Sequence, residues 1–137
     1  MLSIALMVAS AFILFIPGAL HLYCTFVGTK LTPRDHDLRV RMGEVSPVIT
    51  KETTMWRCWT GFNVSHSMSA ILFGLVYGFL ALAHPSLLFS SVYLLAVGFL
   101  TLAGFFVLGK LYWFRVPFTG ICLSLGCFVV SVLVALD

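Results

Sequence analysis

Apolar residues run along this chain in four long blocks, separated by one substantial polar segment and two short breaks. The first block, about residues 2–28, contains no Asp, Glu, Lys or Arg. At ~27 residues it is long enough to span a bilayer with some tilt. It has no basic n-region and its apolar core is too long for a secretory signal, so it reads as a retained helix. Further blocks cover about 55–83, 87–109 and 118–136. His84-Pro85-Ser86 predicts a tight turn that makes the second and third blocks an antiparallel hairpin. The stretch from Lys110 to Pro117 links the third to the fourth, and its Trp113 and Tyr112 suit a headgroup layer.

The polar segment, 30–54, carries two conflicting signals. Thr32-Pro33-Arg34-Asp35 resembles a helix start with Thr as the cap. Leu38, Val40 and Met42 alternate with Arg39 and Arg41, as in a strand. A short surface helix ending at Gly43 is the reading adopted, followed by a turn at Ser46-Pro47.

Composition agrees with the blocks. Hydrophobic residues make up 61% of the 137 residues and charged residues 9%, whereas a soluble domain carries about 25% charged residues. The expected fold class is an all-α integral membrane protein, one antiparallel four-helix transmembrane bundle. The eight Lys and Arg residues all fall in the 30–57 region or at 110 and 115. The positive-inside rule then puts both basic loops in the cytoplasm and both termini on the non-cytoplasmic side. The net charge of +3 is accordingly a topology signal and no sign of nucleic-acid binding.

Helical angles pick out packing faces. Gly120, Ser124, Cys127 and Ser131 form a small-residue stripe on the fourth helix, of the kind that lets helices approach in lipid. On the first helix Gly18, His21, Thr25 and Gly28 align, and on the third Gly98, Thr101 and Gly109. On the second helix, Trp59, Asn63, His66, Ser67, Ala70, Gly74, Tyr77, Gly78 and Ala81 share one sector. Leu72, Leu75, Phe79 and Leu82 lie outside it.

Candidate chemistry gathers where the polar segment enters the second helix, at Trp59-Thr60-Gly61-Phe62-Asn63-Val64-Ser65-His66-Ser67. Polar groups inside a span are costly and mark a site by default. Counting ~1.5 Å per residue places His21 and His66 ~10–12 Å into the membrane from the same side. Asn63, Thr25, Cys24, Thr119 and Cys122 belong to the same half. The expected site is a polar pocket lined by His21, Asn63, His66 and Ser67 and roofed by Trp59. It would bind a small lipid-soluble molecule, with His66 as its hydrogen-bonding or proton-active group. The competing structural reading makes these residues interhelical glue.

Two other functions fit the residues: a non-catalytic accessory subunit docking onto a larger membrane complex, and a bis-His haem b protein built on His21 and His66. The small-residue faces would serve a membrane-protein partner or a homo-oligomer. No catalytic residue is assigned. A carboxylate-bridged metal site is excluded, since none of the five acids lies inside a span. Cys24, Cys58, Cys122 and Cys127 form no C-x-x-C pair and read as free thiols. Phosphate loops, nucleophile elbows and metalloprotease signatures are absent.

The W-x-G-F-N-x-S-H-S element at Trp59–Ser67, after a basic loop and before a Phe- and Gly-rich helix, resembles one found in a family of small bacterial four-span membrane proteins. The likeness extends to Gly18-x-x-His21. It implies a bacterial inner-membrane protein with four helices and brings no activity with it.

Overall fold

The computed structural model describes Met1–Asp137 and contains helices and connections only, with no strand. The helices are α1 (Leu2–Phe26), α2 (His36–Glu44), α3 (Met55–Ala83), α4 (Pro85–Ser90), α5 (Val92–Tyr112) and α6 (Arg115–Leu136). Four of them, α1, α3, α5 and α6, are long and apolar enough to cross a membrane. At most a third of the residues in any of these spans is buried within the protein. The outward residues are large and apolar, Leu72, Leu75, Phe79 and Leu82 among them. Four spans this apolar, with large apolar residues facing outward, make the chain a multi-pass membrane protein.

The chain packs as two units, Met1–Pro17 with Ala70–Asp137, and Gly18–Ser69. In the first, α1, α3, α5 and α6 contribute to one continuous core in which Met7, Phe73, Tyr77, Leu102 and Phe128 are buried. The helices run antiparallel. Ser3 meets Ser131 while Ser10 meets Ser124, and Gly98 faces Phe128 while Gly109 faces Phe118. The serine contacts are reciprocal: Ser10 Oγ donates to the Ser124 carbonyl and Ser124 Oγ to the Ser10 carbonyl, each at 2.8 Å. Two buried hydroxyls thereby satisfy each other's helices with no water needed.

Glycine sets the closest approaches. A Cβ on Gly74 would lie 2.5 Å from Phe15 Cβ and 2.9 Å from the Ala11 carbonyl oxygen, so α1 and α3 touch backbone to backbone there. At Gly98 the missing side chain leaves room for the Tyr77 ring, whose hydroxyl donates to the Leu94 carbonyl at 2.6 Å.

Several expected boundaries and faces shift. The third span begins at Val92, because the chain breaks at Ser91, whose hydroxyl caps the Leu94 amide. The preceding residues form α4 instead, opened by Pro85 at its first position, and bury Leu88. The fourth span begins at Arg115, and Pro117 falls in its first turn, where a missing N–H costs nothing. The first ends at Phe26. Gly28, with φ of 85°, occupies the left-handed conformation past its end and so leaves the helical stripe.

The α6 packing face is Ile121, Ser124, Phe128 and Ser131, with Gly120 and Cys127 at its flanks. The buried face of α5 is Gly98, Leu102, Phe105 and Gly109 rather than one containing Thr101, whose hydroxyl bonds back to its own helix. The polar segment does hold a short helix, capped not by Thr32 but by Asp35, whose carboxylate accepts from the Asp37 and Leu38 amides. That cap fixes helical pairing locally and overrides the alternation that suggested a strand. The turn after α2 closes at Pro47–Thr50, and Met55 N donates to the Val45 carbonyl at 2.8 Å.

Candidate functional site

The Gly18–Ser69 unit comprises the last turns of α1, the polar segment with α2, and the first turns of α3. Here the polar residues of the two long helices meet. Asn63 is buried, and its amide Nδ2 donates to the Trp59 carbonyl one turn back at 2.8 Å. That bond orients the side chain so that Oδ1 faces His21, whose Nε2 lies 2.9 Å away. An amide oxygen only accepts, so His21 carries its proton on Nε2. The His21 and His66 rings pack edge to face with centroids 5.6 Å apart. Thr25 Oγ1 donates to the His21 carbonyl and Ser67 Oγ to the Asn63 carbonyl, each at 2.8 Å, so both hydroxyls bond within their own helix.

Above this cluster the polar segment is tied down by aromatic residues. The Trp59 indole donates to the Leu31 carbonyl at 3.0 Å. The Arg39 guanidinium, reaching over from α2, stacks on the Trp56 ring with its carbon 3.6 Å from the ring centroid. Such a stack suits a delocalised cation in a partly desolvated place. Beneath these contacts lies a cavity of about 340 Å³. Hydrogen-bonding groups on its wall come from Thr25, Thr32, Thr60 and Asn63; its apolar surface comes from Phe26, Leu31, Trp56 and Trp59, and its single charge from Arg39.

The five expected site residues therefore separate. Asn63 and Trp59 line the cavity, Trp59 as its anchored roof. His21 and His66 do not line it; they stand in contact with each other, His21 holding Asn63. Ser67 is fully buried and bonds within α3. Cys24 shares the cavity wall, while Thr119 and Cys122 belong to the other unit. No group of three or more His, Cys, Asp or Glu residues is arranged to hold a metal ion.

Arg39, Thr32, Leu31, Trp56 and Thr60 were not foreseen as site residues. For Trp56 and Thr60 a signal existed: with Asn63 they follow helical spacing of four and three, which places all three on one face. For Arg39 and Leu31 none did, since their positions depend on how the polar segment folds back. No family model matches the chain, and no curated protein or solved structure is significantly similar to it.

Proposed function

We propose that this chain is a bacterial inner-membrane protein that binds a small lipid-soluble molecule in the cavity between the end of α1 and the start of α3. The observation that carries the reading is the cavity wall: the Thr25 and Thr60 hydroxyls, which donate to their own helices and keep lone pairs to accept with, and the Asn63 amide, set among aromatic faces. Small-molecule sites combine an apolar lining with a few fixed polar groups and begin near ~300 Å³. In this reading Asn63 contacts the ligand, and His21 and His66 act through it by fixing its orientation. Trp59 and the Arg39–Trp56 stack close the roof. The inner-membrane placement, with the basic loops cytoplasmic, rests on the resemblance of Trp59–Ser67 and on the positions of the eight basic residues.

The rival readings find less support. Ser124 and Ser131 of the α6 stripe are engaged by α1 of the same chain, so these two residues lend no support to docking onto a larger complex. A haem between His21 and His66 would require the two imidazoles to part and His21 Nε2 to leave Asn63. An absorption spectrum of the purified protein tests the haem reading directly.

Native mass spectrometry of the detergent-purified protein tests the proposal. Wild type should carry a bound small molecule. Asn63→Leu should lower its occupancy about tenfold, the equivalent of ~1.4 kcal/mol. Trp59→Phe keeps the aromatic roof but loses the bond to Leu31, and should lower occupancy less. Equal occupancy in wild type and Asn63→Leu, with both melting alike, would sink the reading.

A further inference from the structure

A second cleft, of about 440 Å³, opens in the same unit and is walled by Thr29, Thr32, Pro33, Arg34, His36 and Arg39. Its lining includes two arginines and a histidine and no acidic residue. Of the nearby acids, Asp35 caps α2, Asp37 lies outside the cleft lining, and Glu44 forms the chain's single ion pair, with Arg41. Arg34 and Arg39 thus have no acidic partner. The Arg39 fork is also held in place. It lies on Trp56, and a Cβ added at Gly43 would sit 3.6 Å from its Nη1. A planar fork fixed before binding loses little freedom when it grips an anion, and its geometry matches phosphate oxygens in pairs.

The two cavities share walls. Thr32 and Arg39 line both. We propose that the second cleft is a phosphate site, and that the ligand is a phosphate-bearing amphiphile whose apolar body enters the cavity beside Asn63. The phosphate is gripped by Arg34 and Arg39, with His36 at the rim. This rests on the preceding reading that the first cavity takes a lipid-soluble molecule. The ligand class is thereby narrowed from any such molecule to an anionic one, with Arg39 acting at the junction of head and body.

Three probes test it with the full chain in detergent micelles: dioleoyl phosphatidic acid, dioleoylglycerol and inorganic phosphate. Wild type should retain the phosphatidic acid more tightly than dioleoylglycerol. Arg34→Gln should cut phosphatidic acid retention about fivefold, the effect of one Arg–headgroup contact, and leave dioleoylglycerol unaltered. Arg57→Gln makes the same change of charge at an exposed residue that lines neither cavity, and should alter nothing.

Equal losses from Arg34→Gln and Arg57→Gln would mean diffuse surface charge and overturn the site. So would equal retention of the two lipids by wild type; in that case the cavity reading survives if Asn63→Leu still lowers dioleoylglycerol retention. If neither lipid binds but inorganic phosphate does, with loss in Arg34→Gln, the phosphate cleft stands with a water-soluble occupant and the lipid-soluble ligand falls.

Discussion

The two packing units of this chain use polar residues in opposite ways. In the unit formed by Met1–Pro17 and Ala70–Asp137, polar groups act as fasteners. Ser10, Ser124, Ser131 and Tyr77 each direct a hydroxyl to a backbone carbonyl of another helix. The whole buried hydrophobic core lies in this unit as well. In Gly18–Ser69 no residue belongs to that core. There the polar groups orient one another, His21 toward Asn63 and Arg39 over Trp56, and leave space between them. Apolar helices gain no hydrophobic drive to associate inside lipid, so close backbone approach and serine bonds must hold them. Where that hold is relaxed, a cavity can persist. One chain thus keeps its tight contacts and its candidate site in separate units.

Matched substitutions on α3 probe that division most strongly. Gly74→Ala places a methyl group against Phe15 and the Ala11 carbonyl, so the two backbones must separate. We expect a loss of about 2 kcal/mol, within the range for overpacking, read as a lowered melting temperature in detergent. Unchanged melting would show that the Gly74 contact is not tight. The serine pair comes next. Ser10→Ala and Ser124→Ala should each cost about 1 kcal/mol. The double variant should cost less than their sum by about 0.6 kcal/mol, as for polar pairs between membrane helices. Strict additivity in the cycle would show that the two hydroxyls, 3.1 Å apart, do not bond each other.

The smallest effect belongs to the site-bearing unit. A Cβ on Gly61 meets no atom within 4 Å. Gly61→Ala should therefore stabilise α3 by about 0.5–1 kcal/mol through backbone entropy alone. Destabilisation there would show that the Gly61 position is closely packed and not open.

Much of the candidate site was legible from residue order. His21, Asn63 and His66 were grouped by depth and helical angle, and they do meet. What angles could not reveal is which of them faces space. His21 and Asn63 bond each other, and that bond depends on two helices joined through 42 positions of chain. Ser67 lies on the same face as Asn63, yet its hydroxyl is taken by its own backbone, the cheapest partner inside a span. The stripe on α6 was displaced for a related reason. Small residues permit close approach, but the neighbours' side chains decide where it occurs, and Phe128 and Ile121 fill the gaps opposite Gly98 and Gly109.

Sequence alone determined four apolar spans, an all-helical architecture, outward faces such as Leu72 to Leu82, and a polar cluster at the start of α3. These depend on hydropathy and on the 3.6-residue period, which are local properties. Tertiary structure alone decided the break at Ser91, the serine pair across 114 positions, and the stack of Arg39 on Trp56. It also decided that two cavities meet at Arg39 and Thr32. Such features are set by contacts between residues remote in the chain, where no periodicity carries the information.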